Sequence, residues 1–274
     1  MCVLSVSKSN KKENKYIIIF RKDQNQVQII GMSATLPNLD LLAKWLNAEL
    51  FKTDFRPVPL TEHIKIGEEL FKNNFQLARN LNPLVKIPSD CDNVVYLCLE
   101  TVMNSNSVLI FCPTKNWCEK MADNIAKEFF NLGKPSPMAE KDPNKSNVRM
   151  KLQENIKMQP IKEVLEQLKR SPAGLDPSLA KSISFGVSYH HAGLSYDERD
   201  IIEGAFKQGT IKVLISTTTL SAGVNLPARR VIIRSPFSYR NQLLDTLIYR
   251  QMIERSISTA NSFSVVAKQT RTHK

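Results

Sequence analysis

The sequence predicts an α/β protein whose parallel sheet is covered by helices. Three observations predict it. From Asp92 to Arg234, segments with the periodicity of strands and of helices alternate, the pattern of a parallel sheet joined by helical crossovers. Apolar runs of strand length, Ser107 to Phe111 and Ile211 to Ile215, are continuous rather than alternating, as in strands buried on both faces. Small polar groups follow those runs at once, Cys112-Pro113-Thr114-Lys115 after the first and Ser216 to Thr219 after the second. In open α/β sheets the carboxyl ends of the strands are where ligands bind.

The 274 residues suffice for one large or two ordinary domains. With 42% hydrophobic and 23% charged residues the chain can bury a core. A formal charge of +12 suits an anionic partner such as a nucleic-acid backbone, and equally a solvated basic surface. Five cysteines, an odd number without a C-x-x-C, indicate reduced thiols and no zinc site. His190 and His191 are adjacent, so on a strand they point to opposite faces and cannot chelate one metal together. No apolar run approaches the ~20 residues that span a bilayer, and the N-terminus has no signal-peptide pattern, so the chain reads as soluble.

In chain order, residues 1–26 are polar and basic with one short apolar run, Tyr16 to Phe20, and read as a disordered or divergent terminus. Val27 to Ile30 is a short strand ending in Gly31-Met32-Ser33-Ala34-Thr35-Leu36-Pro37. A helix carrying Leu39, Leu42, Ala43, Leu46 and Leu50 follows, with Asn38 placed to cap it. The hydroxyl-bearing turn can bind a phosphate or be an ordinary helix start. Glu49 to Phe55 and Leu60 to Ile66 are extended, separated by Pro57 and Pro59, and residues 56–91 read as a linker. Val94 to Val102 suits a helix; Trp117, Met121, Ile125 and Phe129 mark the face of a second, and Ile161 to Lys169 is a third. Residues 131–160, rich in Lys, Pro, Asn and Ser, read as an insertion loop. Phe185 to Tyr189 is a strand, and Ser195 to Glu198 is a capping box opening a helix through Phe206. A last helix spans about Asn241 to Glu254, and residues 256–274 form a divergent polar tail.

Four segments, G-M-S-A-T-L-P (31–37), V-L-I-F-C-P-T-K (108–115), Y-H-H-A-G-L-S-Y-D-E-R-D (189–200) and Val213 to Arg234, resemble superfamily 2 DNA helicases, of the polymerase theta type. The resemblance implies RecA-like domains, with ATP and Mg²⁺ in the cleft between two of them and single-stranded DNA crossing their tops. It divides the chain into the C-terminal end of a first RecA-like domain (27–55) and a second one (92–255). Ser33, Ala34 and Thr35 would belong to the motif coupling ATP state to strand movement. Thr114, Lys115 and Thr217 would meet backbone phosphate, and Gly223 and Asn225 would lie beside the ribose of ATP. Read on their own, Thr114 and Lys115 also fit a plain strand-to-helix loop, Gly223 a simple turn, and Asn225 a loop cap.

The sequence departs from the family pattern at both ends. None of the nine glycines begins a G-x-x-x-x-G-K, and Asp197-Glu198 opens a helix rather than closing a strand, so neither a Walker A loop nor an Asp-Glu box for Mg²⁺ is found. The last family motif, Q-M-x-G-R-A-G-R, appears as Gln251-Met252-Ile253-Glu254-Arg255-Ser256-Ile257-Ser258, which keeps one arginine finger, Arg255, and lacks the second. Loss of such an arginine can cost on the order of 10³-fold in rate. The expectation is a partial helicase of a nuclear, DNA-repair setting, without ATPase activity alone, its cleft completed by a missing helicase half or another subunit. The alternatives are a non-catalytic module that binds nucleic acid or a helicase partner, and a truncated product that folds poorly.

Overall fold

A computed structural model describes residues 16–22, 28–33, 38–53, 60–135, 142–221, 226, 228–237, 242–255 and 262–267. In chain order the strands and helices are β1 (Tyr16–Lys22), β2 (Gln28–Ser33), α1 (Leu39–Trp45), β3 (Glu49–Thr53), β4 (Leu60–Ile66), β5 (Glu69–Lys72), β6 (Leu77–Asn80), α2 (Val94–Met103), β7 (Val108–Phe111), α3 (Lys115–Gly133), α4 (Pro143–Asn155), α5 (Met158–Arg170), α6 (Pro177–Ile183), β8 (Val187–His190), α7 (Tyr196–Lys207), β9 (Val213–Ser216), β10 (Arg230–Ile233), α8 (Thr246–Ile253) and β11 (Ser262–Ala267). Two sheets result. One has the order β2-β1-β3, antiparallel throughout; the other has eight strands in the order β6-β5-β4-β11-β10-β7-β9-β8.

The parallel α/β sheet expected from the sequence forms one half of the larger sheet, from β10 to the edge strand β8. β7, β8, β9 and β10 are parallel and buried along their whole length. Their residues are chiefly Val, Ile and Leu, whose branched side chains suit a pleated surface covered on both sides. Helices flank both faces. Tyr189 and His191, two residues apart, stack at 5.2 Å, and His191 faces Glu119 of α3, while the intervening His190 binds Glu203 of α7. A period of two thus puts α3 and α7 on opposite sides.

Local chemistry starts the helices. Ser195 and Glu198 form the expected capping box at α7, and Asp176 caps α6 through Leu179 N–H. At α1 the outcome differs: Asn38 adopts a left-handed conformation (φ 54°) and makes no side-chain cap, and Leu50 lies in β3 rather than on the helix. Asparagine tolerates that conformation better than most residues, which suits the turn into the helix.

Several segments expected to lack regular structure have it. The apolar run at the N-terminus is β1, paired with both β2 and β3. Within the expected linker, the run Leu60 to Ile66, expected to be extended, is β4 and joins the large sheet, while β5 and β6, which were not expected, extend it as antiparallel strands. Their signal is weak because β5 and β6 have four residues each and are largely exposed. Within the expected insertion loop, α4 buries only Val148 and Leu152, one turn apart, behind an Asp142 cap and Pro143. The short helix α6 and its cap went unread. α8 begins at Thr246, later than about 241. In the expected tail, β11 lies parallel between β10 and β4; its only sequence signature is six residues, S-F-S-V-V-A, amid polar neighbours.

A buried cation, Arg230, and a half-buried carboxylate, Glu100, tie the sheet to α2. Arg230, at the start of β10, donates to Leu97 O (2.6 Å) and to Glu100 Oε2 (2.8 Å), and Glu100 also receives both guanidinium nitrogens of Arg79 from β6 (2.7 and 2.8 Å). Burial opposes ionisation of Glu100, but the two guanidiniums prevail and hold its carboxyl below the usual range. Glu100→Gln is expected to destabilise the fold by about 3 kcal/mol, since it removes the charge that the buried Arg230 shares with Arg79. Denaturant titrations at pH 7 would show the loss. It should shrink below about pH 4, because a carboxyl with a depressed folded pKa stabilises only above its unfolded pKa.

Candidate nucleic-acid and nucleotide site

Parallel pairing in register brings four loops to one edge. Phe111 of β7 is paired with Ser216 of β9 and Ile233 of β10, and Ser216 with His190 of β8. The residues that follow are cross-linked by backbone bonds: Cys112 N–H to Ser216 O (2.8 Å), Arg234 N–H to Phe111 O (2.9 Å) and Thr217 N–H to His190 O (3.4 Å). Thr114, Lys115, His191, Gly193, Thr217 and Arg234 therefore share the carboxyl edge of the sheet.

Thr114 is the N-cap of α3, its Oγ1 accepting from Trp117 N–H at 3.3 Å. That bond uses a lone pair and leaves the hydroxyl proton available to an acceptor outside the helix. Lys115 is the first residue of α3, and Thr217 follows β9 and is nearly buried. A hydroxyl, a cation and the free N–H groups of a helix start form a surface that grips phosphate without reading a base.

Three residues the sequence reading left unassigned support this edge. Arg234 is buried, ion-paired with Asp92, and lies 5.7 Å from the ring of Trp117. His191 accepts Gly193 N–H on Nδ1 (3.1 Å), which assigns the proton of the neutral ring to Nε2, 3.0 Å from Glu119 Oε1. A side chain at Gly193 would be tightly packed: a Cβ there would lie 3.0 Å from two atoms of the His191 ring and 3.6 Å from Lys115 Cδ. The polar alternation Y-H-H-A-G at a strand end was the signal for them, but only the packing shows that Lys115 and Gly193 are neighbours.

The nucleotide half of the expected site is placed in part. Gly223 and Asn225 lie outside the described residues, as do Ala34 and Thr35, and Ser33 is the last residue of β2. Arg255 is half-buried after α8, and its carbonyl accepts Ala228 N–H at 3.1 Å, ahead of β10. It is not beside Thr114 and Thr217, which follow the other ends of their strands. Burial lowers its pKa, with Glu254 opposing. No cluster of three or more His, Cys, Asp or Glu able to hold a metal occurs among the described residues. Glu198 is committed to its capping box, accepting Ser195 N–H at 2.7 Å, so the Asp197-Glu198 pair does not fit as an Mg²⁺ site.

Comparison with known proteins follows the same lines. Residues 156–259 match the helicase conserved C-terminal domain. The chain carries a superfamily 2 helicase C-terminal domain. It is 53% identical to mouse DNA polymerase theta over 233 residues, which is 85% of this chain and 9% of that protein. It is 39% identical to the human helicase POLQ-like over 241 residues, 84% of this chain and 20% of that one. With the ATP-dependent DNA helicase Hel308 of Pyrococcus horikoshii it shares 32% identity over 235 residues, 85% of this chain and 28% of the relative. The chain thus spans a small part of each of these relatives. No helix among the described residues is long and apolar enough to cross a membrane.

Burial pushes both His190 and His191 below the ordinary imidazole range, against Glu203 and Glu119 respectively. Below about pH 6.5 the unfolded chain takes up protons that the folded chain refuses, so stability should fall as pH drops from 6.5 toward the depressed folded values. Thermal melts at pH 7.0, 6.0 and 5.5 test this, and His190→Gln should flatten the slope. Gly193→Ala should cost about 1–3 kcal/mol through overpacking against His191, measured as a drop in denaturant midpoint at unchanged slope.

Proposed function

We propose that this chain is the second RecA-like domain, with the end of the first, of an ATP-dependent DNA helicase acting in DNA repair in the nucleus, and that its carboxyl sheet edge tracks the backbone of single-stranded DNA. The observation carrying this reading is the in-register pairing of β7 with β9, which sets Thr114-Lys115 and Thr217 at one edge. The names of the relatives, DNA polymerase theta and ATP-dependent DNA helicase, favour DNA as the strand and ATP as the fuel.

The residues act by holding a phosphate row. Thr114 donates its hydroxyl proton while its lone pair caps α3; Lys115 supplies charge; Thr217 supplies a second hydroxyl one strand away. His191 accepts Gly193 N–H and so fixes the turn that lies beside Lys115. None of these groups reads a base, which suits travel along any sequence. ATP, when bound, would supply the free energy of phosphoryl transfer. Gly223 and Asn225 would face its ribose and Arg255 its γ-phosphate. The Mg²⁺ and β,γ-phosphate ligands are not found in this sequence, so the chain alone is expected not to hydrolyse ATP; another helicase half or subunit would complete the cleft.

Fluorescence anisotropy with a labelled 20-nucleotide single strand is the direct test. Binding should weaken steeply with salt, and Lys115→Glu should lower affinity about tenfold and reduce the salt slope by about 0.7. Absence of binding at low salt would remove the DNA reading. DNA-stimulated ATP turnover by the 274-residue chain that disappears in Arg255→Ala would overturn the half-site reading.

A further inference from the structure

The carboxyl edge carries a second group of charges beside the phosphate-gripping strip. Ile233 of β10 pairs with Val266 of β11, and Val266 with Ile64 of β4, so the next residues, Arg234 and Lys65, stand at one level on either side of β11. Side-chain alternation puts Arg234 on the face of Arg230, which is the face that α2 covers. The loop into α2 meets them there with two carboxylates. Asp92 is ion-paired with Arg234, and Asp90 accepts the N–H groups of Val95 (3.0 Å) and Tyr96 (2.7 Å). Lys65 donates to Gly67 O at 2.5 Å, and Asp92 and Asp90 act on it as countercharges.

Lys65, Asp90 and Arg234 are buried, and Asp92 is half-exposed. Two cations face two anions, so the group is neutral when both carboxyls are ionised. That balance is delicate. Asp90 and Asp92 lie within hydrogen-bonding reach of each other, and like charges so close disfavour double ionisation. Burial pushes the Asp90 carboxyl up to about 6, with Asp92 adding to the rise and the N–H groups of Tyr96 and Val95 opposing it. The other groups facing the pair are Cys98 of α2, a thiol that burial keeps protonated, and Glu68, exposed on the turn after β4 and acting on Lys65. Arg230, further back on β10, acts on Cys98.

A proton taken up here is held between the two carboxyls and leaves one cation without a countercharge. Arg234 is where that charge counts. Its N–H donates to Phe111 O, three residues before Thr114, and its guanidinium lies 5.7 Å from the ring of Trp117 in the first turn of α3. Its Nε is buried and has no hydrogen-bond partner among the described residues. A buried charge is screened much less than one in water. Given the DNA track proposed for this edge, on which the inference rests, we propose that the Asp90–Asp92 pair is a proton-operated control on the grip: protonated, it frees the charge of Arg234 to attract a backbone phosphate. By reciprocity, a strand that prefers the protonated form draws a proton into the chain as it binds.

Calorimetric titration of the 274-residue chain with a 20-nucleotide thymidine strand, in two buffers of different ionisation enthalpy, counts the protons exchanged. Roughly half a proton taken up per strand is expected at pH 6.5, and about tenfold tighter binding at pH 5.5 than at pH 7.5 at constant salt. Asp90→Asn should abolish the uptake and flatten the pH profile. Asp92→Asn leaves Arg234 uncompensated at every pH, so it should bind tightly already at pH 7.5, where a merely structural loss would weaken binding throughout. Uptake should persist in His191→Gln, whose imidazole sits at the same edge. Circular dichroism at each pH checks that the variants are folded; should one fail to fold, the wild-type uptake and its persistence in His191→Gln decide. Binding without proton uptake, uptake that survives Asp90→Asn, or uptake lost in His191→Gln overturns the proposal and leaves the DNA track standing. Absence of binding at low salt at every pH overturns both.

Discussion

The structure depends on the parallel, in-register ladder that runs through β8, β9, β7 and β10. Parallel strands start at one edge and finish at the other, so every loop after a strand is delivered to the same side. Here that geometry collects residues 114, 191, 217 and 234 from four loops, and the bond from Ser216 Oγ to His190 O (2.8 Å) ties two of the strand ends together. The apolar interior holds the ladder: Ile110, Leu214 and Ile232 are buried completely, and each removes from water roughly the area that makes a large-to-small change cost 2–5 kcal/mol. The site is precise because its supports are rigid strands rather than loops.

How much of this was legible followed from burial. Strands such as V-L-I-F and V-L-I-S are buried on both faces and therefore read as unbroken apolar runs, which composition alone reveals. The capping box of α7 was legible because its chemistry is local: Ser195 and Glu198 satisfy each other within one turn. β5 and β6 were read as connector because each has only four residues, largely exposed, and carries no strong period; β4 and β11 were read as connector and tail because they pair with each other across most of the chain. α4 was hidden for a related reason, since a helix anchored by Val148 and Leu152 alone looks polar throughout. At the site, hydroxyls at strand ends marked Thr114 and Thr217. Arg234, His191 and Gly193 needed the fold, because their significance lies in contacts with Trp117, Glu119 and Lys115 on another element.

The two edges of the sheet contrast in their electrostatics. At the carboxyl edge, Arg234 is matched by Asp92 and His191 by Glu119, leaving Lys115 to act at the surface. At the amino edge a single carboxylate, Glu100, is shared by two guanidiniums, those of Arg79 and Arg230.

The position of β11 has a kinetic consequence. It pairs residue 262 with residue 60 and residue 263 with residue 230, and so it is the strand that joins the β4–β6 hairpin to the β7–β10 ladder. Such a contact closes one of the longest loops the chain can make, and folds dominated by distant pairings form slowly. On a ribosome the hairpin would emerge early and wait, edge exposed, until the last strand of the sheet left the exit tunnel. Until that moment the hairpin offers an open edge to any other strand, a point in synthesis where misassembly competes with folding.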